Sequence, residues 1–173
     1  MEVNGYIIEP GANLRGKKLT EAHLTNAKLA GADLRETDLS KANLSGSSLT
    51  RADLSFADLS KADLTDSNLV GAELAGANLT GANLAGSDLS GANLADTNLY
   101  GANLRGVNLS GADLFGADLK YADLFDANLT GANLTDANLQ HASLLHANLE
   151  DTDLTDADFT GTEGPDGTIL WTE

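Results

Sequence analysis

Residues 77–94 read ANLTGANLAGSDLSGANL, and one rule generates them. Leu79, Leu84, Leu89 and Leu94 stand five apart, each preceded by Asn or Asp and, one place earlier, by Ala or Ser. The register holds in both directions from there. Leu fills every fifth position from Leu14 to Leu154 and Phe159 fills the next, giving thirty central apolar residues without a slip. Ala stands two before the centre in 22 of them, the exceptions being Lys17, Thr37, Ser47, Ser67, Ser87, Thr97, Val107 and Thr152. The place just before the centre holds Asn in 13 and Asp in 11, and Gly stands two after it in 14. The unit is A-[D/N]-L-x-x.

A period of five suits neither regular element. On a helix each Leu would advance by about 140° and the apolar residues would smear around the circumference. On a strand a step of five changes face each time. Gly, Asn, Asp and Ser at this density also disfavour helix. A chain that turns a corner once per unit satisfies the pattern: Gly, Asn and Asp supply the turns, Leu and Ala point inward, and the other positions point outward.

These residues resemble the pentapeptide-repeat family, whose consensus is A-[D/N]-L-x-x, from Ala12 to Gly161. The resemblance implies an all-β fold, a right-handed quadrilateral β-helix with four pentapeptides per coil and the central Leu and preceding Ala facing in. Thirty units then make about 7.5 coils, a rod roughly 36 Å long at the strand spacing. A single coil cannot bury its own Leu residues, so stability has to come from stacked neighbours. Three segments follow: an N-terminal cap over residues 1–11, the β-helix over 12–161 and a C-terminal cap over 162–173. Tyr6, Ile7 and Ile8 before Pro10-Gly11 are expected to form a short strand or turn over the first coil, because an open last layer is a template for aggregation. Lys17 fits its inward slot only in a loose first coil or with its amine escaping to solvent. Pro165-Asp166-Gly167 signals a turn before the apolar run Thr168 to Trp171. That run reads as a lid, with an end-to-end dimer contact through Trp171 as the alternative to a monomer.

Composition narrows the function classes. The 173 residues carry a net charge of −16, no Cys, three His and only 5% aromatic residues. Disulfides, thiolate nucleophiles and Cys-ligated metals are excluded. An acidic surface opposes direct binding to nucleic acid or to an anionic membrane. No stretch approaches the ~18 apolar residues of a membrane span, and residues 1–11 lack the features of a signal peptide, so a cytoplasmic location is expected. The charge is uneven: residues 1–61 net zero, and residues 62–173 carry the whole −16 against only Arg105 and Lys120.

Residues 20 apart stack in columns on a four-sided coil. The most acidic face gathers Asp33, Asp53, Glu73, Asp113 and Asp153 with Asp96, Asp136 and Asp156. Either these side chains serve local turns, or they imitate the charge of DNA, which carries one per ≈ 1.7 Å. Some members of the family are DNA mimics that occupy the DNA-binding saddle of type II topoisomerases such as gyrase. Outward large side chains lie between Tyr100 and Leu145. Arg105, Phe115, Tyr121, Phe125, His141 and Leu145 are expected to form a partner patch, or alternatively a ladder that stiffens the stack. Lys120 stacks over Tyr100 as a cation–π candidate. Carboxylates on a convex rod without a pocket, and Ser without a neighbouring His, argue against catalysis. His141 and His146 fall in different columns, so no metal or cofactor is expected. The reading is a non-catalytic scaffold for a protein partner, with the topoisomerase mimic as its alternative.

Overall fold

Each pentapeptide makes one side and one corner. In the computed structural model, which describes residues 1–169, the carbonyl of Leu74 accepts the N–H of Ala77 at 2.9 Å and closes a β-turn. The third turn residue, Gly76, holds φ at 64°, the feature of type II turns. Glycine takes that conformation without steric cost. The slot keeps positive φ when other residues fill it, as at Lys41 (56°), Phe56 (59°), Tyr121 (61°) and His141 (57°). The surrounding stack imposes a backbone that these side chains disfavour.

Four corners close a coil, and the register between coils is 20 residues. Asn83 bridges Asn103 in parallel, and Asn103 bridges Asp123. The N–H of Leu84 donates to the carbonyl of Asn103 at 2.8 Å, and the N–H of Asn103 donates to that of Ala82 at 2.9 Å. At the corner the N–H of Gly86 donates to the Arg105 carbonyl at 2.9 Å. Sides and corners thus pair their backbone with the neighbouring coils, as buried amides require. The fold is the expected right-handed quadrilateral β-helix, all-β, with no helix among the described residues.

The core is a filled shaft. The central Leu residues from Leu19 to Leu144 are essentially inaccessible, with the Ala column beside them. Thr at the Ala slot is tolerated because its hydroxyl reaches a carbonyl of the preceding coil: Thr37 to Leu14 at 2.8 Å, Thr97 to Leu74 at 2.9 Å and Thr162 to Leu139 at 2.6 Å. Ser87 bonds the carbonyl of Leu84. The buried hydroxyls of Ser47 and Ser67 find no partner. An unmade buried hydrogen bond costs about 1–3 kcal/mol, so Ser47→Ala and Ser67→Ala are each expected to raise the urea midpoint without changing the m-value. A lowered midpoint would show that the hydroxyls are satisfied.

The N-terminal end is covered by a hairpin of β1 (Glu2–Val3) and β2 (Tyr6–Ile7), paired Glu2 to Ile7 and Val3 to Tyr6. Its turn is Asn4-Gly5, with φ of 52° and 79°, both positive as the tightest hairpin turns demand. Val3 and Tyr6 pack on the core with the buried Ile8. Lys17 is exposed, its Nζ 5.7 Å from the centroid of the Tyr6 ring, so the amine escapes the inward slot. At the other end the coil runs past Gly161. Glu163 bridges Ser143, and buried Gly164 stands in a central slot. The chain then turns, the N–H of Gly167 donating to the Gly164 carbonyl at 2.9 Å, and Ile169 pairs antiparallel with Glu163. Leu149, Leu154 and Phe159 remain only partly buried. The expected end contact at Trp171 lies outside the described residues.

Candidate interaction surface

The acidic face divides into two kinds of carboxylate. Those just before the central Leu are hydrogen-bonded to their own turn or to the neighbouring coil. Asp113 Oδ1 accepts the N–H of Phe115 at 3.1 Å and the Nδ2 amide of Asn133 at 2.9 Å. Glu73 accepts Asn93 Nδ2 at 2.9 Å. Asp53 takes the N–H and hydroxyl of Ser55, with Arg35 Nε at 3.4 Å, and Asp153 takes both groups of Thr155. The bonds from Phe115, Ser55 and Thr155 are the local turn bonds that favour Asp and Asn at such places, whereas Asn133, Asn93 and Arg35 reach these carboxylates from the neighbouring coil.

Asp33 is held most firmly. Arg35 donates to it through Nε at 2.8 Å and through Nη2 at 2.6 Å, and holds the carboxyl down at about 2. Because the folded value is depressed, the pair's contribution is complete above the ordinary 3.8 and is lost as pH falls through about 2. A carboxyl-carbon NMR titration of Arg35→Gln is expected to move Asp33 up toward the ordinary value. An unmoved midpoint would separate the shift from Arg35. Asp158 is likewise brought to about 2, chiefly by Gln140 Nε2 at 2.6 Å.

Asp96, Asp136 and Asp156 are different. They occupy the corner slot at φ of 54°, 59° and 56° and project as exposed side chains. Asp96 leans over Gly116 of the next coil, where a Cβ would fall 2.7 Å from Oδ1. The face therefore carries two kinds of carboxylate, bonded ones before the central Leu and exposed ones at the corners.

The outward rings form two short stacks that flank one side, the one centred on Leu104, Leu124 and Leu144. On one flank Tyr100 meets Tyr121 edge-on at 5.4 Å, and Tyr121 stacks on His141 at 5.2 Å with an 11° interplanar angle. On the other, the Arg105 guanidinium lies 4.1 Å over Phe125, and His146 meets Phe125 edge-on at 5.3 Å. Arg105 also donates from Nη1 to Asp123 Oδ2 at 3.0 Å. Half-buried Leu145 has its Cδ1 3.7 Å from where a Cβ on Gly167 would stand. Two expectations need correction. Phe115 stands in the column of Ala95 and Thr135, on the side of the coil that carries Asp113, and joins neither stack. Lys120 does not lie over Tyr100: its Nζ bonds Gln140 Oε1 at 2.7 Å and sits 5.5 Å from the Tyr121 centroid. For Phe115 the register itself sets the ring apart from the stacks, whereas for Lys120 the lean of the side chain decides its partner.

Phe56 is the outward ring that column reasoning passed over. It is 69% exposed, more than Tyr100, Phe115 or Tyr121. Its position two after Leu54, in a corner slot, was the available signal. An open groove between the hairpin and the first coil is lined by Met1, Ile8, Glu9, Pro10, Asn26, Ala27 and Lys28. Among the described residues no group of three or more His, Asp or Glu is placed to hold a metal ion, and no helix is long and apolar enough to cross a membrane.

A family model described as pentapeptide repeats matches the chain in overlapping stretches, residues 11–40, 18–55, 27–66, 57–96, 92–131 and 132–163. Among solved structures, HetL of the cyanobacterium Nostoc, a pentapeptide repeat protein involved in heterocyst differentiation regulation, is 35% identical, with 95% of this chain and 94% of that one covered and a TM-score of 0.33. The pentapeptide repeat protein Rfr23 of the cyanobacterium Cyanothece is 30% identical over 90% and 87% of the two chains, with a TM-score of 0.42. A trypsin-treated QnrB1, a plasmid-mediated fluoroquinolone resistance protein, is 22% identical over 88% and 84%, with a TM-score of 0.42. No curated protein matches the chain.

Proposed function

The chain belongs to the pentapeptide-repeat family, and we propose that this member is a non-catalytic rod that docks to a protein partner through its outward columns. The observation that carries the reading is the pair of ring stacks around Leu124. Tyr121 keeps 48% of its surface exposed and Tyr100 43%, although both are engaged in stacking. Rigid aromatics with an adjacent Arg are the usual anchors of protein interfaces, and a shaft filled with Leu and Ala leaves recognition to the outward positions. Fold alone names no partner.

The test is capture from the native host. Tyr121→Ala with Phe125→Ala is expected to keep the β-helix circular-dichroism signal and to weaken capture by at least about tenfold. Undiminished capture would remove the stacks from the docking surface. The topoisomerase-mimic reading is favoured by one observation, the −16 concentrated after residue 61. Recovery of a type II topoisomerase on the wild-type bait, with inhibition of its supercoiling by the purified rod, would shift the assignment to that reading.

A further inference from the structure

The backbone nitrogen after an Asn is able to attack the side-chain amide, and the coils hold most of the fifteen Asn residues away from that reaction. Thirteen are followed by Leu in the repeat. In all of them before Asn148 the Leu N–H donates to a carbonyl of the next coil, as Leu84 does to Asn103 at 2.8 Å. The Asn side chain is engaged as well: Asn83 Oδ1 accepts the N–H of Ala85 and the amide of Asn103. Freeing both groups means parting stacked neighbours. Asn26 precedes Ala27, whose N–H donates to the Leu24 carbonyl at 2.9 Å.

Asn4 differs in each respect. It is the one Asn followed by Gly, which has no side chain to obstruct the attacking nitrogen. Asn4 is exposed, and the Gly5 N–H donates to no backbone carbonyl among the described residues. No atom lies within 4 Å of a Cβ built on Gly5, so a ring has room to close. The Gly5 nitrogen has to swing over the Asn4 side chain, and the turn must open for that. Two strand pairs and the reciprocal bonds between Met1 and Ile8, at 2.7 and 2.9 Å, hold it shut. So short a hairpin opens at far smaller cost than a coil within the stack.

We propose that Asn4 is a site of spontaneous covalent modification, and that its conversion to isoaspartate uncaps the N-terminal end of the rod. The Gly5 nitrogen attacks Asn4 Cγ, the bond from Cγ to the side-chain nitrogen breaks, and ammonia leaves with the proton from Gly5. Water then adds to one carbonyl of the succinimide and breaks one ring C–N bond, giving Asp or isoaspartate. Water is the only other reactant. Asp keeps the turn, because Asp-Gly suits the same hairpin link. Isoaspartate routes the main chain through Cβ and Cγ, adding a carbon to the tightest link a hairpin has. The pairing of Val3 with Tyr6 and of Glu2 with Ile7 is then broken, and Val3, Tyr6 and Ile8 lose the geometry that seats them on the core.

The full wild-type chain, held at mildly alkaline pH, is mapped by peptide mass spectrometry, with protein isoaspartate methyltransferase and its methyl donor as the probe for isoaspartate. The peptide carrying Asn4 is expected to gain about 1 Da, from amide to acid. The gain should be at least about tenfold faster there than in any coil peptide, and methyl transfer should fall on the same peptide. Asn4→Gly, which keeps a turn-competent Gly-Gly pair, is expected to show neither. In the isoaspartate fraction the Ile8 amide, bonded to the Met1 carbonyl in the hairpin, is expected to exchange with deuterium faster than in unmodified protein. Freshly prepared Asn4→Asp is expected to keep that amide protected. No gain at Asn4, a gain spread evenly over the coils, or an isoaspartate fraction with Ile8 still protected would overturn the proposal. Loss of protection in Asn4→Asp would assign the loosening to charge rather than to the added carbon, and would equally overturn it.

Discussion

Leu84→Ala is expected to cost about 2–5 kcal/mol, whereas the same change at Leu154 costs clearly less. Leu84 is fully inaccessible, and the N–H and C=O groups around it are paired with the coils above and below. Truncation there leaves a void that stacked neighbours cannot close, because their spacing is set by backbone hydrogen bonds and not by side-chain volume. Leu154 lies in the last full layer and keeps part of its surface exposed, so less transfer energy is lost and solvent can fill the gap. Urea unfolding of the two variants checks the difference. In a solenoid whose stability is a sum of neighbour terms, Leu84→Ala should also broaden the transition by weakening the link between the two halves. Equal losses at the two sites would contradict the assignment of the C-terminal layer as the looser one.

Gly76→Val is expected to destabilise by roughly 2–3 kcal/mol through two separable causes. The first is backbone: φ is 64°, and a β-branched residue there clashes with its own chain. The second is the Phe56 ring, whose Cε1 and Cδ1 lie 2.6 and 2.7 Å from a Cβ at this position. Phe56→Ala should recover the second part and leave the first, so the double variant should be more stable than Gly76→Val and less stable than wild type. Gly91→Asn is the control. Its φ is 63° with nothing within 4 Å of a Cβ, and Asn tolerates the left-handed region, so the cost should stay under about 1 kcal/mol. Thermal or urea midpoints of the four proteins decide it. Full recovery by Phe56→Ala would mean that backbone strain contributes nothing at these corners.

The inward half of the molecule was readable because it depends on one geometric variable. Once the chain turns every five residues, Leu84 and Ala82 have one place to go; that Asn83 bridges residues 20 away needs four corners per coil, which the family resemblance implies and the bridges to Asp63 and Asn103 show. Surface contacts followed only in part. Column arithmetic sets Arg105 beneath Phe125 and His141 above Tyr121, and both contacts form; it also sets Lys120 above Tyr100 and Leu145 above Phe125, yet Lys120 sits by Tyr121 and His146 meets the Phe125 ring. Those choices depend on rotamers and on which neighbours are small enough to lean across, as Phe56 leans over Gly76. The hairpin turn at Asn4-Gly5 did carry a local signal, since two consecutive positive φ values favour that dipeptide. Its seating on the core came from Val3, Tyr6 and Ile8 together.

The order of residues by itself determined the repeat, the inward columns and the uneven charge along the rod, because each is a property of spacing along one chain. Only the tertiary structure separated the acids committed to turns, such as Asp33 and Asp113, from those that project, such as Asp96 and Asp136. The two kinds are alike in composition. They differ because the slot before Leu faces a backbone N–H two residues on, whereas the corner slot at positive φ leaves its side chain exposed over the next corner, as Asp96 is over Gly116.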